Sequence, residues 1–360
     1  MIIKTFQYYL IKLFLKRVLI SSMIFLSLIF ILNIFDEISF FKKSNINFFF
    51  PFLITALRTP STLFEIFPFI FLVATQFFFI ELINKNELDA LKVYGINNFK
   101  LIKLLILTSL FLGILIITIF YHLSSKLQFL YFELKNEYSS DNKYLAVVTD
   151  NGLWIKDEIN GKILIINATT IEGSFIKNVT INEFNSSFEL IQIMTSPKVN
   201  ISNSEWVIFN PVISIDNKNI NLKENLKINT HFDHKKINRL FKNLTSLNIF
   251  ELLKLKKDYK SLGYSTNHIE SQLNGLLSFP IYLTLMSLFA SVIMFNVKRN
   301  RPVIFHVILG IFLSVLIYYF YYLFNLLGET GKIPLLASTW LPFFLIAISI
   351  SIGLVRINEK

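Results

Sequence analysis

The sequence contains no cysteine among its 360 residues, and charged residues make up only 16% of it. The absence of cysteine excludes disulfide bonds, thiolate metal sites and cysteine nucleophiles. Hydrophobic residues instead account for 53% of the chain, and the mean hydropathy is +0.55. This balance is more apolar than a soluble domain of the same length requires, and it predicts a membrane protein.

The net charge is strongly positive, at +11. In a soluble protein such an excess would suggest nucleic acid as a partner. No zinc-finger, RNA-recognition or helix-turn-helix signature accompanies it, so we expect no nucleic-acid partner. We interpret the excess as the lysines and arginines that hold membrane loops on the cytoplasmic side.

Six apolar segments are long enough to cross a bilayer. They cover residues 18–35, 60–80, 101–122, 269–295, 303–326 and 334–355. Basic residues lie before the first segment, in the loops after the second and fourth segments, and at the C-terminus. The charge rule therefore predicts that both termini are cytoplasmic and that the insert between the third and fourth segments is external.

The insert, residues 123–268, has a different character, with frequent Lys, Asp, Glu and Asn. Runs of β-forming residues alternate with turn signals, a spacing that predicts an antiparallel sandwich or jelly roll. The runs are 144–149, 152–156, 162–167, 178–184, 188–194, 205–209 and 212–215, and a helix is predicted over 249–260.

The predicted fold class is therefore an α+β membrane protein. It has six transmembrane helices and an antiparallel β-jelly-roll domain inserted between helices 3 and 4. The predicted domains are an N-terminal transmembrane half (1–122), the β-domain (123–268) and a C-terminal transmembrane half (269–360).

The loop between the second and third spans is longer than a hairpin turn needs to be. Its good helix formers predict a helix over about 81–96. Leu88, Leu91 and Gly95 share one face at helical spacing, and acidic residues precede Lys92 in the order that suits a helix dipole. Such a helix could receive a push from a soluble partner. Alternatively, it could simply rest on lipid headgroups.

Several stretches resemble one family. Residues 86–96 resemble the Ser-Glu-Leu/Met…Gly signature of the LptF/LptG lipopolysaccharide-export permeases, which follows the second span. Residues 151–157 resemble the Gly-Leu-Trp-x-Lys-Asp run of the LptG-type β-domain, and Trp154 favours an LptG-like subunit. Further matches are Ser278-Phe279-Pro280, residues 331–334 and Leu341-Pro342. Together they span essentially the whole chain.

The resemblance implies a permease subunit of an ABC transporter in the inner membrane of a Gram-negative bacterium. Such a transporter extracts lipopolysaccharide and passes it to a periplasmic bridge. The implied partners are an LptF-like permease, a homodimeric LptB-like ATPase, and LptC-like and LptA-like bridge proteins. The chain would itself be neither an enzyme nor a cofactor protein, and residues 328–333 are too short to form a phosphate-binding loop.

The resemblance also implies that residues around 81–96 contact the ATPase. Glu87 would pair with the ATPase surface. The neighbouring residues in the same motif are Leu88, Leu91, Lys92 and Gly95.

A route for a phosphorylated lipid needs cations at the outer headgroup level and an apolar wall below them. In LptG relatives a basic residue often precedes a Phe-x-Asp run of the first span, and the matching region here, residues 33–36, departs from that pattern. Lys42 and Lys43 are therefore candidate replacements, together with Arg58. The alternative is that they are ordinary loop anchors. Candidate wall residues are Phe25, Phe312 and Tyr319, although aromatic residues in spans also serve packing and interface belts.

Glu65 is the unusual residue within a span. A carboxylate in hydrocarbon needs a cavity, a partner or a proton, and Arg58 lies two helical turns earlier as a candidate partner. Alternatively, Glu65 could lie near the outer interface.

Two alternative functions make different demands on the sequence. A sensor or mechanotransmission scaffold would use the β-domain to bind a protein without moving lipid. A membrane-embedded transferase would need a convergent Asp/Glu/His set, which the sequence lacks. His231 and His234 resemble a metal motif, but no further His or Cys is nearby, so no metal is predicted.

Overall fold

The structure is a computed structural model. It describes residues 5–42, 47–136, 153–159, 161–215, 218–221, 224–234, 237, 243–261, 265–295 and 302–358. The chain divides into two compact units, Met1–Tyr131 with Asn267–Lys360, and Phe132–Thr266. The predicted strand 144–149, the candidate Lys43 and the basic loop after the fourth span lie outside the described residues.

Nine α-helices are assigned within the described ranges. They are α1 (Thr5–Phe41), α2 (Phe50–Asn84), α3 (Glu87–Val93), α4 (Asn98–Leu115), α5 (His122–Asn136), α6 (Ile249–Ser261), α7 (Asn267–Phe295), α8 (Val303–Glu329) and α9 (Leu335–Asn358). A π-helical segment, Ile116–Tyr121, joins α4 to α5, so the third span continues past His122.

Six helical segments are long and apolar enough to cross a membrane among the described residues. They are α1, α2, the continuous α4–α5 segment, α7, α8 and α9. The predicted six-span arrangement is confirmed.

Helices α2 and α7 lie at the centre of the membrane unit. Gly113 of α4 lies so close to α7 that a Cβ there would be 2.7 Å from the Cα of Pro280. Ser109 Oγ donates to Ser287 Oγ at 3.1 Å across the same contact. Phe64 of α2 stacks on Phe279 at a centroid distance of 4.4 Å. Small residues and hydroxyl pairs of this kind allow close helix approach in a membrane.

The second unit contains an eight-stranded sheet. Its strands are β1 (Leu153–Ile159), β2 (Lys162–Glu172), β3 (Phe175–Phe184), β4 (Leu190–Asn200), β5 (Glu205–Phe209), β6 (Val212–Ile215), β7 (Lys218–Asn221) and β8 (Leu226–Asn229). The main order is β1-β2-β3-β4-β5-β8, and β6 pairs with both β4 and β7. Every assigned pairing is antiparallel. The α+β membrane fold with an antiparallel β-domain after the third helix is therefore confirmed.

The two ends of this strand order are joined by side chains. Asp157 of β1, which is buried, accepts hydrogen bonds from the backbone N–H of His231 at 2.9 Å, and its other oxygen lies 2.8 Å from His231 Nδ1. His231 follows β8. Trp206 of β5 is fully buried and donates to the Phe232 carbonyl at 2.7 Å. These contacts give His231 a structural role, and no cluster of three or more metal-ligating side chains occurs in the described part of the chain.

Candidate coupling helix and lipid-facing sites

Helix α3 is short because the backbone turns sharply at both of its ends. Asn86 has φ +56° and separates α3 from α2, so residues 81–84 belong to α2. Gly95 has φ +76°, a left-handed conformation that favours glycine, and Ile96 N–H donates back to the Leu91 carbonyl at 3.0 Å. The result is a seven-residue helix at one end of the membrane unit.

Glu87, the predicted ATPase-pairing residue, is held by a residue that the sequence reasoning missed. The Tyr9 hydroxyl of α1 lies 2.8 and 3.0 Å from the two Glu87 carboxylate oxygens and donates to them. The two residues are 78 positions apart in the sequence, so no local pattern signals the contact. Tyr9 thus fixes the start of α3 against α1.

A second contact ties α1 to the end of α2 beside α3. Arg17 forms a partly buried ion pair with Glu81. Lys85 Nζ donates to the other Glu81 oxygen at 2.9 Å, and this hydrogen bond raises the pKa of Lys85 above its usual value. These contacts therefore join α1 to the last turn of α2, next to the start of α3.

The remaining predicted coupling residues include partly buried leucines within α3 and an exposed glycine at its end. Leu88 and Leu91 are partly buried, and Leu91 faces a cavity of about 820 Å³ between α1, α3 and α4. Lys92 lies within α3 and Gly95 ends it. Val93 and Tyr94, which were not predicted, are 84% and 83% exposed. Val93 and Tyr94 thus form an exposed pair at the end of α3.

At the other end of α2, Arg58 is not a free cation. Its guanidinium lies 3.3 Å from Glu37 Oε1 and 3.9 Å from Asp36, and it sits over the Tyr131 ring at 5.9 Å. Glu37 is completely buried and also accepts from the Tyr131 hydroxyl at 2.9 Å. Because α1 runs to Phe41, both acids belong to the helix rather than to an outer loop. The sequence reasoning missed Glu37 and Tyr131 as partners.

Lys42 and Glu65, the other described polar candidates for lipid contact, take no part in the ion pairs of Arg58. Lys42 is exposed directly after α1, and Lys43 lies beyond the described part of the chain. Glu65 is exposed on the surface of α2, two turns beyond Arg58. Arg58 forms its ion pairs with Asp36 and Glu37 rather than with Glu65.

The predicted wall residues also differ in their surroundings. Phe25 is half-buried and packs edge-on against Phe69 at 5.3 Å. Phe312 and Tyr319 are each 60% exposed on α8. Tyr319 lines a groove of about 520 Å³ formed by α7, α8 and α9. Helix α8 thus presents an aromatic, apolar face away from the bundle.

The β-unit has a smaller cavity of about 380 Å³, which combines apolar and charged lining. Glu183 is buried there, 2.7 Å from Lys162 Nζ and 2.6 Å from Gln192 Nε2. Burial alone would raise the pKa of Glu183, but the contacts with Lys162 and Gln192 outweigh it and lower that pKa. Leu164 and Lys227 contribute to the same lining.

A comparison with protein families gives one extensive match. The family model described as "Lipopolysaccharide export system permease LptF/LptG" matches residues 8–356. That range includes all six spans and the β-unit. A search of curated proteins finds no match.

Proposed function

The chain belongs to the LptF/LptG family of lipopolysaccharide export permeases, and we propose that it is an LptG-like subunit of an ABC transporter. The family consists of multi-pass transport subunits rather than enzymes, in agreement with the six apolar helices. The observation that carries the proposal is the family match over nearly the whole chain, combined with a short helix at the end of the second span. The LptG-like assignment is supported by the Trp154 motif.

The proposed location is the inner membrane of a Gram-negative bacterium, with both termini and α3 cytoplasmic and the β-unit periplasmic. Charge supports this orientation. Lysines and arginines are more frequent at the end of the bundle that carries α3, where Lys12, Lys16, Arg17, Lys85, Lys100 and Lys103 lie, than at the end with Lys42 and Arg58.

In the proposed mechanism, an LptB-like ATPase moves α3 through Glu87 and the exposed Val93 and Tyr94. The force reaches α2 directly, since only two residues separate α2 from α3. It reaches α1 through the hydrogen bond of Tyr9 with Glu87 and through the ion pair of Arg17 with Glu81. These two contact points lie about two turns apart on α1 and make α1, α2 and α3 move together.

The proposed lipid path lies along the exposed face of α8, where Phe312 and Tyr319 supply apolar contact area. Lys42, with Lys43 after it, would bind lipid phosphates by charge-assisted hydrogen bonds. Arg58 can contribute only if a phosphate competes with Glu37. An LptF-like permease would complete the cavity, and LptC-like and LptA-like proteins would receive the lipid from the β-unit.

The test uses the transporter reconstituted in proteoliposomes with its ATPase and bridge partners. We expect Glu87→Lys to abolish ATP-dependent transfer of lipopolysaccharide to the bridge, because it reverses the charge that faces the ATPase. Asp89→Lys, two residues along α3 and exposed, is the matched control and should retain transfer. Normal transfer by the Glu87→Lys transporter would show that α3 is not the coupling element.

A photocrosslinker at position 42 separates lipid transport from the sensor-scaffold alternative. Transport predicts lipopolysaccharide adducts that appear only with ATP. Adducts to protein alone, with or without ATP, would instead favour a scaffold that binds a protein and moves no lipid.

A further inference from the structure

The cavity between α1, α3 and α4 is the largest of the cavities described above, at about 820 Å³. Its walls combine one end of α1, the end of α3 and the first three turns of α4. The lining residues are Phe6, Gln7, Ile11, Leu91, Tyr94, Gly95, Ile96, Lys100, Lys103, Leu104, Leu107 and Thr108. All belong to the membrane unit.

The charge at the rim of this cavity has one sign. Lys100 and Lys103 are both exposed and lie three residues apart, which places them on one side of α4. Lys100 Nζ donates to the Gly95 carbonyl at 3.1 Å, so its ammonium group lies beside the end of α3. No carboxylate side chain is among the residues that line the cavity. The rim therefore suits an anion.

The remaining lining is apolar and extends into the span. Helix α4 begins at Asn98, so Leu107 lies about 14 Å along the helix from its start, at a rise of about 1.5 Å per residue. Leu107 is 55% exposed. A soluble protein that binds α3 does not reach this depth, whereas a lipid acyl chain is long and apolar enough to do so.

We propose that this cavity binds an anionic phospholipid of the leaflet next to α3. Its phosphate lies between Lys100 and Lys103, and an acyl chain lies along Leu104 and Leu107. The site is separate from the proposed lipopolysaccharide path. Because Leu91 and Gly95 form part of the wall, the bound lipid supports α3 from behind.

The experiment uses the full chain in nanodiscs that contain a trace of photoreactive phospholipid with a diazirine near the end of one acyl chain. Phosphatidylglycerol and phosphatidylcholine versions are compared, and the labelled peptides are mapped by mass spectrometry. We expect phosphatidylglycerol to label residues 104–108 about tenfold more than phosphatidylcholine, because two lysines near a membrane surface attract an anionic lipid. Equal labelling by the two lipids would overturn the proposal.

Two variants test the geometry. Lys100→Gln with Lys103→Gln should reduce the labelling about tenfold. Lys12→Gln with Lys16→Gln is the control, since it removes the same charge from exposed positions of α1 that do not line the cavity. It should leave the labelling unchanged. An equal loss in both double variants would mean general attraction to the membrane and would overturn the site.

A third variant, Leu107→Trp, keeps both lysines but fills the apolar part of the cavity. It should reduce labelling at 104–108 while leaving the thermal unfolding of the chain unchanged, because position 107 is exposed. Labelling that persists in this variant would contradict the acyl-chain placement. In a separate measurement, a photocrosslinking residue is placed at position 107 and the ATPase is added. If the ATPase crosslinks there and lipid labelling is lost, the cavity binds protein and the proposal is wrong.

Discussion

The two central spans, α2 and α7, differ from the peripheral spans α1 and α8 in an unexpected direction. The mean hydropathy of their most apolar windows is 2.2 and 2.0, against 2.6 for α1 and 2.4 for α8. Yet 67% and 72% of these windows are buried in the central pair, and only 28% and 17% in the peripheral pair. Between these two pairs, the more apolar helices are the less buried ones, and α9, with a mean hydropathy of 2.0 but only 33% of its window buried, shows that low hydropathy alone does not make a helix central. Apolarity sends a helix into the membrane but does not decide which helix it packs against, because lipid is as apolar as a leucine side chain.

The central helices instead carry small and hydroxyl residues at their contacts. The buried hydroxyl residues of α2 and α7 are Thr55, Thr59, Ser61, Thr75, Ser271, Ser278, Thr284, Ser287 and Ser291. Several of these hydroxyls donate to a carbonyl one turn earlier, as Thr59 does to Thr55 at 2.7 Å. They are therefore satisfied within their own helix and allow close packing.

The largest expected effect comes from replacing a phenylalanine by alanine in a central span, compared with the same replacement in a peripheral span. Phe71→Ala in α2 removes a fully buried ring that packs edge-on against Phe14 and Phe67. We expect it to destabilise the chain by about 4 kcal/mol. Phe312→Ala in α8, where the ring is 60% exposed, should have little effect. Thermal unfolding of the full chain in detergent measures both, and equal losses would break the comparison.

The next prediction asks whether a buried charge binds α1 to the central α2. Arg58→Met removes the guanidinium that faces Glu37, whose side chain is fully buried. We expect a loss of about 2 kcal/mol, at the low end for breaking a buried pair because Arg58 is 33% exposed. The double variant Arg58→Met with Glu37→Gln should recover part of the loss. If a double-mutant cycle shows no coupling, the pair does not hold α1 in place.

The third prediction concerns a close approach of peripheral α8 to α2, at Gly310. The Gln76 amide, which donates to the His306 carbonyl at 3.1 Å, occupies the space that a Cβ at Gly310 would need. Gly310→Ala should destabilise by about 1 kcal/mol through overpacking. Gly275→Ala in α7 is the control, since its Cβ would meet only the Tyr321 hydroxyl at 3.5 Å. An unfolding temperature as high for Gly310→Ala as for Gly275→Ala would contradict the packing argument.

The smallest effect extends the comparison to a buried acid outside the membrane. The pKa of Glu183 is lowered in the folded β-unit. Its pairing with Lys162 and Gln192 therefore stabilises the fold above the unfolded pKa of about 4.3, and this stabilisation disappears as the pH falls through the folded pKa. Glu183→Gln should lower the unfolding temperature of the full chain at pH 7, and this difference from the unchanged chain should shrink as the pH falls below about 4.3. A difference that is constant with pH would argue against the ion pair.

Local sequence signals predicted much of the secondary structure. Strands β5 and β6 have the predicted bounds, and α6 starts at the predicted residue. These elements are short, and turn residues mark their limits. The predicted helix over 81–96 is less regular, because Asn86 adopts a left-handed conformation that divides it between α2 and α3. A single positive φ at an asparagine is set by the surrounding packing as much as by its neighbours in sequence.

The contacts at the candidate sites could not be predicted in this way. Tyr9 binds Glu87 across 78 residues, and Tyr131 binds Glu37 across 94. Neither pair has a spacing that a helix or strand imposes. Arg58, which the sequence suggested as a partner for Glu65, meets Asp36 and Glu37 because α1 extends beyond its apolar segment.

The sequence by itself determined that six helices cross the membrane, that a β-domain follows the third, and that the chain belongs with the lipopolysaccharide export permeases. Those properties depend on hydropathy, residue alternation and short motifs, which are local along the chain. Only the tertiary structure decided which helices are central, that Tyr9 holds Glu87, and that two lysines stand at the rim of a cavity behind α3. These depend on side chains from distant segments, which meet only after the helices have packed.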